Sequence, residues 1–166
     1  MVDTLKDIYY AEKQLVRALK KMGKAASHQM LTVAFEQHRT ETEQQIQQLE
    51  QVFQILGQRA QGKKCPAMDG LLDEGNEHME EYSKGPGLDA ALIVGAQKIE
   101  HYEMAAYGSL RTFAELLGQT EAQRIFQTIL DQEGATDEKL TGLSRTINME
   151  ALGSQQEVSE SAKQEA

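Results

Sequence analysis

Apolar residues recur along most of the chain in alternating steps of three and four, the spacing of one buried helical stripe. From about Asp3 to Lys24 the stripe reads Leu5, Ile8, Glu12, Leu15, Leu19, Met22. Gly23 lies near the end of this stretch, and Ser27 stands where the next helix needs an N-cap. A second stretch, from about His28 to Leu56, carries Leu31, Phe35, His38, Thr42, Gln45, Leu49, Val52 and Leu56, with Gly57 as a stop. Gly57 to Pro66 reads as loop, and Met68 to Ser83 as a short helix weakened by Gly70 and Gly75. After Lys84-Gly85-Pro86-Gly87, a third long helix runs to about Leu117 with Leu92, Ala96, Ile99, Glu103, Ala106, Leu110, Phe113 and Leu117 on its stripe. Gly118 ends it. Thr120-Glu121-Ala122-Gln123 has the form of a capping box and opens a fourth, with Phe126, Ile129, Glu133, Thr136, Leu140, Leu143 and Ile147. The pattern predicts a helical bundle over 1–150 and a polar, disordered tail over 151–166.

The connections set the topology. The two hairpin turns are short, so each hairpin is antiparallel. The connector between the hairpins is about 30 residues, long enough to carry the chain back along the bundle. The expected fold is all-α, a ferritin-like four-helix bundle of two antiparallel hairpins with a long crossover holding a short extra helix. A chain of 166 residues with two prolines and no Trp is consistent with one helical domain.

Charge and cysteine usage narrow the partners. Seventeen basic against 26 acidic residues give a net charge of −9, with no basic stripe, which argues against nucleic acid. The single cysteine, Cys65, forms no internal disulfide and fits a reducing cytoplasm. MVDTLKDIYY lacks the pattern of a secretory signal, and no apolar run approaches the roughly 18–20 residues of a membrane span.

Each stripe is interrupted near its middle by polar residues: Glu12, then His38 with Thr42 and Gln45, then Glu103, then Glu133. Glu12 and His38 each lie about 13 residues from the first turn, and Glu103 and Glu133 each about 15 from the second. At roughly 1.5 Å per residue, the members of each pair sit at matched heights. Glu100 and Asp137, each about 18 residues from the second turn, pair further out as weaker candidates, and Glu41 flanks His38. Bare carboxylates cannot share a dry core, whereas divalent cations relieve both their desolvation and their mutual repulsion. Carboxylate oxygens with one imidazole suit iron or manganese, and shared carboxylates can bridge two ions. The alternative is a protonated or water-filled polar core kept for pairing specificity. His101 projects away from Glu103, toward the surface or a subunit contact, and His28 and His78 have no comparable partner. Cys65 reads as incidental. Tyr9 and Tyr107, one turn from Glu12 and Glu103, can pack, bond the ligands or act as redox neighbours.

AEKQL (Ala11–Leu15), HRTETEQQI (His38–Ile46) and KIEHYEMAAYGSL (Lys98–Leu110) resemble the YciE/YciF family of bacterial ferritin-like stress proteins, over about Asp3 to Asn148. The resemblance implies a ferritin-like bundle, a homodimer and a stress role, sometimes as ferroxidase. In the wider ferritin-like pattern Glu12 and Glu103 fit the single-Glu positions, and Glu41 and Glu133 open the Glu-x-x-His pairs. Gln44 and Thr136 stand where those pairs carry histidine, and Asp137 follows on the fourth helix. The expected function is a dinuclear iron or manganese protein that oxidises Fe(II) with dioxygen or peroxide, or removes peroxide. Glu41 and Glu103, or Glu103 and Glu133, would bridge the ions, with Glu12 and His38 terminal. The alternative is a non-catalytic stress-response dimer with a degenerate site; iron storage in a cage ranks below both.

Overall fold

The computed structural model describes the backbone of residues 1–164 and side chains to 153. Its five helices are α1 (Val2–Ala25), α2 (Gln29–Ile55), α3 (Pro66–Glu81), α4 (Pro86–Leu116) and α5 (Thr120–Gln164). No strand occurs among the described residues. Helix α1 packs on α2 and α4, α5 packs on α4 and α2, and α3 lies outside against α4 and α1. This is the expected ferritin-like bundle with its crossover helix. The backbone of α5 continues helically to Gln164. The side chains beyond 153 and residues 165–166, which fall in the expected tail over 151–166, lie outside the described residues.

Local chemistry explains where the helices stop. Gly57 and Gly118 have φ of 64° and 69°, the left-handed conformation that favours glycine. After Gly57, the Gln58 N–H reaches the Phe53 carbonyl at 2.8 Å; after Gly118, the Gln119 N–H reaches Ala114 at 2.8 Å. Both are Schellman closures. Gln119 then opens α5, its carbonyl accepting from the Gln123 N–H at 2.9 Å. The helix therefore begins one residue before the register a Thr120 capping box requires.

Ser27 does not cap α2; His28 occupies that position. The turn is held instead by Asp89, a fully buried residue in the first turn of α4 that sequence reasoning missed. Asp89 accepts from the Ser27 N–H at 2.8 Å, the Ser27 hydroxyl at 2.5 Å and the His28 N–H at 2.9 Å. This clasp places the start of α4 beside the α1–α2 turn, so the α4–α5 turn lies at the opposite end of the bundle.

The core follows the predicted stripes of α1, α2 and α5, from Leu5, Ile8, Leu15 and Leu19 through Phe35, Leu49 and Val52 to Phe126, Ile129 and Leu140. On α4 the stripe drifts. Beyond Glu103 it continues through Tyr107, Leu110 and Ala114, while Phe113 and Leu117 are 39% and 60% exposed. One extra step of four, from Glu103 to Tyr107, brings the mean spacing from Leu92 to Ala114 to about 3.67 residues, nearer the 3.6-residue turn than the 3.5 of strict alternation. Helix α4 also touches α1, α3 and α5, which widens its buried face to include both Ile99 and Glu100.

Candidate metal centre

At mid-bundle the core turns polar. Glu12 of α1, His38, Thr42 and Gln45 of α2, Glu100 and Glu103 of α4, and Glu133 of α5 are all buried. Thr42 is satisfied locally, its hydroxyl donating to the His38 carbonyl at 2.9 Å. Gln45 Nε2 donates to Gln132 Oε1 at 3.2 Å.

His38, Glu100, Glu103 and Glu133 each offer a ligand atom within 4.8 Å of the others. His38 Nδ1 lies 3.3 Å from Glu100 Oε1, and Nε2 lies 3.9 Å from Glu133 Oε2. Neither imidazole nitrogen nor either oxygen of Glu103 has a hydrogen-bond partner, while Glu100 and Glu133 lean on each other and Gln45 stands beside Glu133. Glu12 adjoins the group electrostatically, and its Oε1 accepts from the buried hydroxyl of Tyr107 while Oε2 has no partner.

The Asp89 clasp explains the layering. Eleven residues separate Ser27 from His38, and eleven separate Asp89 from Glu100. Fifteen separate Ser27 from Glu12, and fourteen separate Asp89 from Glu103. His38 and Glu100 therefore share one level, and Glu12 and Glu103 share another, roughly one helical turn away. Counting from each hairpin's own turn had set Glu100 apart, because it cannot relate two turns at opposite ends.

Burial dominates the electrostatics. It raises the Glu12 and Glu103 carboxyls well above the usual range, with added repulsion from Glu133 on the first and from Glu12 on the second. Burial and the Glu133 charge push Glu100 up to about 10. Burial also raises Glu133 to about 7, with a further push from Glu41. His38 is lowered to about 4 by burial and by the Lys139 ammonium, so its imidazole is neutral and free to ligate at neutral pH. Two ionised carboxylates 4.8 Å apart would repel by roughly 3–4 kcal/mol at an effective dielectric of about 20, before any desolvation cost. The group is stable when protonated or when cations neutralise it. Its donors, one imidazole and several carboxylates without thiolate, fit iron or manganese.

The other candidates fall outside this group. Glu41 is half-buried and accepts from Gln37 Nε2 at 2.9 Å. Asp137 accepts from Gln97 Nε2 at 3.0 Å and faces His101 at 3.5 Å. His101 is 68% exposed, in line with its expected outward direction. His28 caps α2 and lies 3.7 Å from Glu150. Tyr9 packs edge-on against Phe53 and donates to Glu50 at 2.7 Å, away from Glu12. Cys65, expected to be incidental, is buried: its Sγ accepts from the Met68 N–H at 3.4 Å to cap α3 and lies 3.1 Å from the Tyr102 hydroxyl.

A family described as a domain of unknown function, DUF892, matches residues 1–152. The chain is 45% identical to YciF of Escherichia coli strain K12 over 152 residues, covering 90% of this chain and 92% of that protein. The crystal structure of that E. coli stress protein superposes with a TM-score of 0.85 at 45% identity, over 88% of this chain and 92% of the other. YcfI of Rhodopseudomonas palustris, provisionally called a structural protein, superposes with a TM-score of 0.81 at 44% identity, over 84% and 89% of the two chains. A protein from Xanthomonas campestris, 24% identical, shares the fold with a TM-score of 0.72 over 93% and 95% of the chains.

Proposed function

The chain belongs to the DUF892 family, with YciF as a relative, and on that premise we propose that it is a stress-response metalloprotein with a dinuclear iron or manganese centre. His38, Glu100 and Glu133 would hold one ion and Glu12, Glu103 and Glu133 the other. The observation that carries this reading is a set of buried carboxylates and an imidazole from three helices, α2, α4 and α5, within ligand distance of one another, with buried Glu12 of α1 adjoining them. A satisfied polar core would also pair His38 and Glu103, which have no hydrogen-bond partner.

When bound, the ions would supply the redox chemistry for oxidising Fe(II) or consuming peroxide. The chain's own part is to hold donors at fixed heights, keep His38 neutral and exclude bulk water. The Tyr107 hydroxyl fixes the orientation of Glu12. Fe(II) oxidation and peroxide consumption, followed for the wild type and Glu103→Gln, test the reading. Metal-dependent turnover lost in the variant supports it; equal turnover in both contradicts it.

A specific observation favours the second reading, a non-catalytic dimer. Where the ferritin-like pattern carries two more histidines, the chain has Gln44, which is exposed, and half-buried Thr136. Neither supplies a nitrogen ligand. The structural label given to the R. palustris relative agrees with this reading. A metal-loaded protein of dimeric native mass without oxygen or peroxide consumption would establish it.

A further inference from the structure

We propose that the seam between α2 and α5 is the port through which a divalent cation reaches the buried cluster, with Glu41 as its capture group and a Gln37–Lys139 pair as its gate. The proposal rests on the metal-centre reading above.

Three observations carry it. First, a cavity beneath this seam is lined by Gln37, His38, Glu41, Thr136 and Lys139, so it runs from the surface to a cluster member. His38 is otherwise buried, and its unpartnered nitrogens leave it open to a ligand arriving by that route. Second, a carboxylate stands in the cavity wall. Glu41 is three residues beyond His38 on α2, half-buried, and near enough to Glu133 to raise its pKa. It can shed part of a cation's hydration shell while remaining in contact with solvent. Third, the seam is latched by polar groups that can move. Lys139 Nζ donates to Gln37 Oε1 at 2.6 Å, and Gln37 Nε2 donates to Glu41 Oε1 at 2.9 Å. Lys139 is exposed, so its ammonium can swing away without disturbing the core. While latched, Lys139 sets a positive charge over the cavity and Gln37 occupies one Glu41 oxygen. A cation competes for Glu41, frees Gln37 and releases the lysine.

Bulky side chains fill several other approaches. Tyr107 and Phe126 fill the interior on the Glu12 side, with ring centroids 6.5 Å apart. Tyr9 and Phe53 fill the α1–α2 contact, and α3 covers α4 and α1. At the α2–α5 seam the cavity passes between Phe35 and Leu140, with the smaller Ala34 and Thr136 leaving room beside His38. A net charge of −9 draws cations toward the whole surface, and the port decides where they enter.

An obstruction in the port changes loading and release together and leaves the affinity unchanged, a capture or gate charge changes mainly the loading rate, and a ligand changes mainly the rate of release. Metal-free full-length protein is mixed with Co(II) in a stopped-flow instrument, and the visible absorption of the bound ion is followed at low and high salt. Glu41→Gln should slow loading about fivefold at low salt while changing release less than about twofold, and the effect should shrink with added salt. Lys139→Gln should speed loading, and Thr136→Trp, which obstructs the cavity, should slow loading and release alike. Wild-type rates in all three variants would overturn the port. So would a Glu41→Gln variant with weaker affinity and normal loading, which would make Glu41 a ligand. Absence of Co(II) binding by the wild type would overturn the metal centre itself and the port with it.

Discussion

Stripped of divalent metal, the protein should lose stability as the pH rises from about 5 to about 7. Burial and the Glu133 charge raise Glu100 to about 10, and burial raises Glu133 to about 7, each from an ordinary 4.5. In the same core His38 falls from 6.5 to about 4. Between about pH 5 and 6.5 the native state therefore keeps two carboxyl protons that the unfolded chain has shed. The unfolded chain keeps one imidazolium proton that the native state lacks. The net excess of one proton in the native state lowers stability by ~1.4 kcal/mol per pH unit, about 2 kcal/mol across this window. Glu12 and Glu103, also raised, steepen the fall. Above about pH 6.5 the His38 contribution ends and Glu133 drops out near 7, while Glu100 continues together with the raised Glu12 and Glu103.

Urea denaturation followed by circular dichroism, in excess chelator at several pH values, measures this directly. With saturating Mn(II) the trend should reverse. The ligands bind as anions, so each ion displaces protons and the stability it confers grows with pH. A chelated protein whose stability is flat or rises over this window would refute the protonated, metal-ready core.

Glu100→Gln should stabilise the chelated protein by about 1–3 kcal/mol near neutral pH, since the amide needs no proton to be buried. The same variant should bind Mn(II) at least roughly tenfold more weakly by titration. Asp89→Ala strands three donors at the α1–α2 turn and should cost about 3–5 kcal/mol in urea denaturation. Tyr107→Phe keeps the packing against Phe126 but removes the hydrogen bond to Glu12. It should cost about 1–2 kcal/mol in the chelated protein and change the visible spectrum of bound Co(II).

Most of the bundle was legible from periodicity because helix packing reads out as spacing along one chain. Leu5, Ile8, Leu15 and Leu19 on α1, and Phe126, Ile129 and Leu140 on α5, fill the stripes where the pattern set them. The interruptions at Glu12, His38, Glu103 and Glu133 were legible for the same reason. What spacing could not reveal depends on contacts between hairpins. Glu100 read as flanking because α4 was assigned a stripe of ordinary width, and only contact with α1, α3 and α5 buries it. Asp89 had the signature of a helix-start acid, and its clasp on Ser27 becomes visible only when the two hairpins dock. Glu41 matched a ligand position by pattern, yet its side chain turns to Gln37 at the α2–α5 seam.

The central claim is that this core holds metal. Elemental analysis of protein purified without chelator and then incubated anaerobically with Fe(II) or Mn(II), joined to anomalous scattering from its crystals, tests it most directly. About two ions per chain are expected. They should lie among His38, Glu100, Glu103 and Glu133, with Glu12 reaching the second. Crystals with no anomalous peak in that core after incubation with either metal would contradict it.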